Sequence, residues 1–351
     1  MKRMPPGRVM VDLDGTELSA RDRRRLQHPA CAGVILFARN YHSPEQLRVL
    51  CDQIKAVREP SLLIAVDHEG GRVQRFRKGF SPVPAMRTIG ALWDRDRNRA
   101  LDIAHDAGHV IGSELGACGI DFSFAPVLDV DHGCSTVIGD RAFHSTSEAV
   151  IELAHAFIAG LNKCGMIAVG KHFPGHGGVA ADTHHDIAVD HREFAEIERD
   201  DLPPFAALCR GSLGGVMPAH VVYEKVDAQP AGFSRFWLQK ILRNRLGFEG
   251  IVFSDDLSMH GASIAGNAPA RASAAFAAGC DIALVCNAPA DADAVLDATR
   301  QPGSTLDAAR VLALHRRAVP GAQTDVGRDD SYVLARQRVA DFGAETSAPA
   351  A

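Results

Sequence analysis

The chain has 351 residues, of which 46% are apolar and 23% charged, and its formal net charge at pH 7 is −5. This composition is typical of a soluble globular protein that buries a large core. The modest negative charge gives no reason to expect a nucleic-acid partner.

The N-terminal segment and the cysteines bear on location. The segment is positively charged but lacks the apolar stretch of a secretory signal, and no run approaches the roughly 18 apolar residues of a spanning helix. The eight cysteines are scattered singly, without CxxC pairs. In a chain of this length that pattern indicates reduced, buried thiols. We therefore expect a cytoplasmic protein with no membrane partner, and a monomer.

Short apolar runs recur along the whole chain, and most are continuous rather than alternating. Such runs are typical of strands buried on both faces of a parallel sheet. The eight predicted strands are Val9–Leu13, Gly33–Phe37, Leu62–Val66, Asp121–Ala125, Ile167–Gly170, Gly215–Met217, Ile251–Phe253 and Ile282–Val285.

Longer segments with helical periodicity separate these runs. Ser43 precedes a proline and predicts a helix start, and glycines such as Gly165 and Gly247 predict helix ends. The predicted helices are Pro44–Val57, Asn98–Ala117, Ser147–Lys163, Arg192–Arg210, Ser234–Leu246, Ala268–Ala278, Ala290–Arg300 and Thr305–Ala318.

This alternation of strands and helices, repeated about eight times, predicts an α/β fold, a single (β/α)8 TIM-type barrel with its catalytic loops at the C-terminal ends of the strands. A doubly wound sheet is the alternative, disfavoured because no GxGxxG follows the first strand. We expect one catalytic barrel domain over residues 1–342, with a last helix over 329–342. Residues 343–351 are rich in small side chains and predict a disordered tail.

Polar residues collect where the predicted strands end, which is where barrel enzymes build their active sites. Asp67 follows the third strand, Lys171 and His172 follow the fifth, and Asp255 follows the seventh. Because these four residues lie at the same end of three different strands, a shared site is favoured over four separate structural roles.

Structural readings remain open for several of these residues. Asp129, after the fourth strand, could cap a helix or pair with an arginine. Asp256 could be a helix cap while Asp255 faces the barrel. Lys171 could serve only as an ion-pair partner, and His185 is expected to be a solvated loop residue.

The segment after the fifth strand is too rich in glycine to be a helix, and it carries Asp182 and His184. The collected Asp, Arg, Lys and His side chains suit the hydroxyl groups of a carbohydrate. Glycoside hydrolysis needs an anionic nucleophile and a proton donor–acceptor. Asp255 can be the nucleophile. No second carboxylic acid is obvious, but a carboxylate beside an imidazole, as Asp182 and His184 would be, can replace it.

Six segments carry a resemblance to a known family. The segment KHFPGHGGVAADTHHD (171–186) resembles the KHFPGHG…DSH signature of family 3 glycoside hydrolases, in their bacterial β-N-acetylglucosaminidase branch. The others are VDHEGGRVQRF (66–76), DFSFAPVLDV (121–130), IGDRAFH (138–144), MPAHVVY (217–223) and GFEGIVFSDDLSMHGA (247–262). The resemblance covers roughly residues 9 to 287.

The resemblance implies a retaining exo-β-N-acetylglucosaminidase that acts through a covalent glycosyl–Asp intermediate. Its nucleophile would be Asp255, and its proton donor and acceptor would be His184 with Asp182 as partner. The sugar-binding residues would be Asp67, Arg75, Arg141, Lys171 and His172. The implied substrate is a muropeptide, GlcNAc-1,6-anhydroMurNAc with or without peptide, which loses its terminal β-1,4-linked GlcNAc during cell-wall recycling. No metal or other cofactor is implied.

The chain departs from the family pattern at a few positions. Thr183 replaces the usual serine of DSH, His68 stands where many members have glutamine, and the expected proline after His184 is missing. These changes concern loop geometry and substrate detail rather than the type of reaction. The glycines at 175, 177 and 178 predict a hinge that lets the loop with His184 close after substrate binds.

Two other functions are weighed against the glycosidase. A metal-dependent barrel hydrolase could use His172, His176, Asp182 and His184 as ligands, although Lys171 would place a cation beside the metal. A catalytically inactive binding barrel is less favoured, because the nucleophile and the Asp–His pair are both present.

Overall fold

The computed structural model describes residues 2–180, 188–299, 307–318 and 326–347. Eight parallel strands close into one barrel, and each strand pairs with its neighbours in sequence order. The predicted (β/α)8 fold is therefore confirmed, and every barrel strand overlaps a predicted apolar run, although several strands begin or end at other residues. The barrel strands are β1 (Val9–Val11), β2 (Cys31–Leu36), β3 (Leu63–Val66), β4 (Phe122–Ser123), β5 (Ile167–Phe173), β6 (Gly215–Pro218), β7 (Ile251–Asp256) and β8 (Ile282–Val285).

The strands are buried on both faces, which explains their continuous apolar sequences. All six residues of Cys31–Leu36 and all four of Ile282–Val285 are buried. Inside the barrel, Phe122, Phe124 and Phe253 contact one another, with ring centroids 5.2–5.5 Å apart. The interior is therefore a packed core, and the space for a ligand lies at the barrel mouth.

Helices surround the barrel and connect its strands. The α-helices are α1 (Ala20–Leu26), α2 (Pro44–Lys55), α3 (Met86–Trp93), α4 (Arg97–Ala117), α5 (Ser147–Lys163), α6 (Phe194–Asp200), α7 (Leu202–Leu208), α8 (Ala268–Ala278), α9 (Pro289–Ala298), α10 (Ala308–Leu312) and α11 (Asp330–Ser347), and a π-helix spans Phe236–Arg245.

Short elements lie outside the barrel. Three pairs of short strands join Lys2–Arg3 to Arg58–Glu59, His68–Gly70 to Val73–Gln74, and Ala188–Asp190 to Val221–Tyr223. Short 3-10 helices lie at Ala38–Asn40, Gly139–Arg141, Ala231–Phe233, His260–Ala265 and Val326–Arg328.

Most of the helix predictions agree with the structure. The Ser43 side chain accepts a hydrogen bond from the backbone N–H of Gln46 and so caps α2 as expected. The single helix predicted over Arg192–Arg210 is wrong, because two helices, α6 and α7, occupy this segment. Proline has no N–H to donate and fits only in the first turn, so the prolines at 203 and 204 start a new helix.

The last helix runs farther than the sequence indicated. It ends at Ser347, so the boundary expected at residue 342 lies inside it. Burial and an ion pair explain the extension. The Phe342 side chain is buried, with 1% of its surface exposed, and Glu345 forms an ion pair with Arg99 at 2.7 Å. Division into one barrel domain and a tail stays a prediction. None of the helices in the described ranges is both long and apolar enough to cross a membrane.

Candidate active site

A cavity of about 410 Å³ opens at the C-terminal ends of the barrel strands. This is the end of a barrel where loops assemble ligand sites. Its lining includes the six predicted site residues that fall within the described ranges, namely Asp67, Arg75, Arg141, Lys171, His172 and Asp255.

Lys171, at the end of β5, lies between two carboxylates. Its Nζ is 2.7 Å from Oδ1 of Asp67 and 2.6 Å from Oε1 of Glu69. The Lys171 and Glu69 side chains are each 3% exposed. Glu69 reaches this position because the chain after β3 folds into a short hairpin, whose first strand is His68–Gly70. The Ser123 hydroxyl fixes the start of the hairpin by accepting from the backbone N–H of residue 68 and by donating to the carbonyl oxygen of the same residue, each at 3.0 Å.

Arg141 holds Glu69 from the other side. Its Nε and Nη2 donate to the two carboxylate oxygens at 2.9 and 2.8 Å, which is a bidentate ion pair. Burial would raise the pKa of Glu69, but Arg141 and Lys171 outweigh it and hold the pKa well below its usual range. Burial would lower the pKa of Arg141, yet Glu69 more than offsets this. Glu69 is therefore a buried anion shared by two cations.

Arg75, the residue after the second strand of the hairpin, completes this group. Its Nη2 is 3.7 Å from Oδ2 of Asp67, and its guanidinium lies over the ring of Phe37 at 5.8 Å. Asp67 therefore contacts cations on two sides and still lines the cavity. Carboxylate and guanidinium groups held in this way are suited to bind sugar hydroxyls without further rearrangement.

Asp129 lies beneath the loop that follows β5 and is fully buried. Its Oδ2 is 2.7 Å from Nδ1 of His172, and its Oδ1 accepts the backbone N–H groups of His172 and His176 at 3.1 and 2.7 Å. Burial would raise the pKa of Asp129, but the two histidines lower it overall. The ionised carboxylate can only accept, so Nδ1 of His172 carries the proton and Nε2 is left for the cavity.

Asp255 and Asp256 end β7 and have different environments. Asp256 accepts hydrogen bonds from the Ser258 backbone and hydroxyl and from the Cys286 backbone, at 2.9, 2.7 and 3.0 Å. Burial raises its pKa to about 6. Asp255 uses Oδ1 to accept the N–H of Asp256 at 2.8 Å and lines the cavity. Asp256 thus holds the strand end together but caps no helix, because the next helical segment, His260–Ala265, has Met259 at its N-cap.

Asp182 and His184, the predicted acid/base pair, lie outside the described residues, as does His185. The glycines just before them are described, and they serve close packing. A Cβ at residue 177 would lie 1.7 Å from the Val130 carbonyl oxygen, and one at residue 175 would lie 2.6 Å from Asp201. The predicted hinge glycines therefore anchor the base of the loop in this structure.

Two important residues were missed from the sequence. Glu69 was visible only as part of a polar segment, and nothing in its spacing shows that a hairpin turns it back toward Lys171. Asp129 was expected either to cap a helix or to pair with an arginine, but it pairs with His172. His68, the departure from the family pattern, lies outside the cavity lining, and its ring packs against Phe76 and Phe80 with centroids 5.8 and 5.5 Å apart.

Within residues 2–180, 188–299, 307–318 and 326–347, no cluster of three or more His, Cys, Asp or Glu side chains could hold a metal ion. Of the four proposed ligands, only His172 and His176 are described, and Nδ1 of His172 already faces Asp129.

Comparison with known proteins places the chain among carbohydrate-active enzymes. Residues 9–314 match the model of the glycosyl hydrolase family 3 N terminal domain. A protein of Methylobacillus flagellatus named Beta-hexosaminidase is 52% identical over 340 residues, which cover 97% of each chain. Another Beta-hexosaminidase, from Chromobacterium violaceum, is 56% identical over 299 residues, 85% of this chain and 84% of that one.

Solved structures give the same assignment. NagZ from Neisseria gonorrhoeae in complex with N-trifluoroacetyl-D-glucosamine is 46% identical, with a TM-score of 0.92 over 97% of this chain and 99% of that one. The same gonococcal protein has been solved in complex with zinc ion, at 45% identity and a TM-score of 0.91 over the same shares of the two chains.

Proposed function

Because this chain belongs to glycosyl hydrolase family 3, we propose that it is a retaining exo-β-N-acetylglucosaminidase that removes terminal β-1,4-linked GlcNAc from muropeptides in cell-wall recycling. The substrate is GlcNAc-1,6-anhydroMurNAc, with or without peptide. The observation that carries the proposal is the meeting of Asp255 with the five sugar-binding candidates around one cavity. The N-acetylglucosamine derivative bound by the gonococcal relative supports the choice of sugar.

The proposed reaction has two displacements. The Asp255 carboxylate attacks the anomeric carbon, and the bond to the leaving oxygen breaks while His184 donates a proton to that oxygen. His184 then takes a proton from water, whose oxygen attacks the same carbon and releases Asp255. Asp182 orients His184 and stabilises the imidazolium form of its ring. The anomeric configuration is inverted twice and is therefore retained.

The ion pairs in the cavity give the proposed sugar-binding residues fixed positions. Lys171, Arg141 and Arg75 are each held by a carboxylate, and His172 is held by Asp129. Donors and acceptors that are oriented before the sugar arrives lose little entropy when they bind it.

The environment of the proposed enzyme is the cytoplasm, with a small muropeptide as its partner. All eight cysteines lie in the described ranges and none is in a disulfide, which is the state expected in a reducing compartment. We propose that it acts as a monomer, without a nucleic-acid or membrane partner and without a metal or other cofactor.

Hydrolysis of an aryl β-GlcNAc by wild type, Asp255→Ala and Asp52→Ala tests the proposal. We expect Asp255→Ala to lose at least about 10⁴-fold in kcat, since it removes the nucleophile, while the exposed residue Asp52 can be replaced without effect. A fluorinated glycosyl donor should add its sugar mass to a peptide that contains Asp255. Near-normal turnover by Asp255→Ala would exclude this nucleophile.

The same assay separates the proposal from its alternatives. Activity that survives exhaustive chelation argues against the metal-dependent hydrolase, and the absence of both turnover and labelling would favour an inactive binding barrel. Cleavage of GlcNAc-1,6-anhydroMurNAc with and without phosphate shows whether water or phosphate accepts the sugar.

A further inference from the structure

His176 is a buried polar residue at the cavity that the proposed mechanism does not use. Its ring lines the cavity together with His172 and Asp255 and is 2% exposed. Within the described part of the chain, neither Nδ1 nor Nε2 of this ring has a hydrogen-bond partner. Buried polar groups in proteins are nearly always paired, so an imidazole with two unpaired nitrogens at a ligand cavity needs an explanation.

The ring of His176 is held in place by its neighbours. Its backbone N–H donates to Asp129 Oδ1 at 2.7 Å, and its ring meets that of His172 edge to face at 5.9 Å. The next residue, Gly177, packs against the Val130 carbonyl so closely that no side chain fits. The same buried carboxylate therefore contacts both histidines, and His176 lies in the cavity wall without being freely mobile.

The chemistry of the ring restricts what it can bind. Burial lowers the pKa of His176, and the neighbouring His172 lowers it further. The ring is therefore neutral and offers one N–H donor and one acceptor nitrogen. A sugar hydroxyl group is itself both donor and acceptor, so it can pair with either nitrogen.

We propose that His176 is a substrate-binding residue that hydrogen-bonds a hydroxyl group of the GlcNAc ring and contributes to sugar specificity. This inference rests on the proposed function. If so, the site discriminates between GlcNAc and sugars that lack this hydroxyl group. Such a sugar leaves a buried ring nitrogen of His176 without a hydrogen bond, which lowers its binding affinity.

The test measures Kd for GlcNAc and its 3-, 4- and 6-deoxy analogues by calorimetry. Wild type should bind one analogue roughly 10- to 100-fold more weakly than GlcNAc because of the unpaired nitrogen. His176→Phe keeps a planar ring without nitrogens, so it should lose affinity for GlcNAc and no longer discriminate against that analogue. His109→Phe is the matched control, because His109 is 2% exposed and has an unpaired Nδ1 but lies in α4, away from the cavity lining.

A second measurement does not depend on a variant that must fold well. Long-range ¹H–¹⁵N NMR of wild type, with the His176 signals assigned from the spectrum of His176→Gln, should show shifts of its ring nitrogens when GlcNAc is added. The inference would be overturned if the ring-nitrogen chemical shifts of His176 did not change at saturating GlcNAc. It would also be overturned if His176→Phe showed the same ratios of Kd between GlcNAc and all three deoxy analogues as wild type does.

The proposed function and this inference fail in distinguishable ways. If wild type neither binds GlcNAc nor hydrolyses its aryl glycoside, both are wrong. If wild type hydrolyses the glycoside and His176→Phe discriminates as wild type does, only the role of His176 is wrong.

Discussion

Glu69 shows how strongly a single carboxylate can depend on its neighbours. It is buried with Lys171 and paired at both oxygens by Arg141. Removing one partner of such a group leaves charges buried without compensation, which costs more than the pair itself contributes.

We expect Glu69→Gln to lower the free energy of unfolding by about 3–5 kcal/mol, because Arg141 and Lys171 lose a shared buried anion. The matched control is Glu152→Gln, since Glu152 pairs with the exposed Arg97 at the surface and should matter by less than about 1 kcal/mol. Urea unfolding at pH 7 measures both. If the two variants lost the same free energy of unfolding, burial of the Glu69 ion pairs would not explain their contribution to stability.

The same residue predicts a difference in pH dependence. The pKa of Glu69 in the folded protein lies below its ordinary value of 4.5, so the unfolded chain binds its proton more readily. The stabilisation is therefore fully present above pH 4.5 and is lost as the pH falls further. Between wild type and Glu69→Gln, the difference in stability should shrink on acidification.

At the scale of elements, the sequence predicts strands better than it predicts contacts between loops. A strand buried on both faces leaves a continuous apolar run, and this signal located all eight barrel strands. A pairing such as that of Asp129 with His172, 43 positions apart, leaves no periodic trace. The ends of the strands could therefore be predicted to form a site, but the partners that hold that site could not.

The loop after β5 illustrates a second limit. Its glycines predict freedom, because glycine is the least restricted residue. In the structure Gly177 is required for a different reason: its α-carbon lies against a carbonyl oxygen of the neighbouring loop. Composition alone does not distinguish a glycine that allows motion from one that allows close approach.

We expect Gly177→Ala to lower the free energy of unfolding by about 1–3 kcal/mol and to weaken GlcNAc binding, because the added Cβ would displace the base of the loop. Gly15→Ala is the control, since no atom lies within 4 Å of a Cβ there. Urea unfolding and calorimetry measure the two effects. If Gly177→Ala and Gly15→Ala have the same stability and the same affinity for GlcNAc, the base of the loop can move to accept a side chain. That result would favour a hinge at residue 177.

For the whole molecule, we propose that the barrel and α11 form one folding unit. Arg338 in α11 makes a bidentate ion pair with Asp106, which is 1% exposed, and the Tyr332 hydroxyl donates to the buried Glu114 at 2.8 Å. The apolar face of α11 is also buried, through Tyr332, Ala335, Val339 and Phe342.

Deletion of residues 330–351 should lower the free energy of unfolding by more than about 5 kcal/mol, because this apolar face is lost and two carboxylates of α4 each lose a hydrogen-bonded partner. Deletion of residues 348–351, which follow α11, should have no measurable effect. Thermal unfolding of the two truncated proteins checks this. A barrel that melts normally without α11 would show that the unit ends earlier.

The pairing of the cavity cations with Asp67 and Glu69 also bears on how the protein responds to salt. The cationic side chains of the cavity are already neutralised by carboxylates of the protein. They therefore release no counter-ions to the solvent when an uncharged sugar binds. The Kd for GlcNAc should therefore stay constant between about 0.05 M and 0.5 M NaCl, a range over which the interactions of exposed charges are strongly screened. Any dependence of muropeptide affinity on ionic strength would then report on the charged groups of the substrate outside its GlcNAc ring.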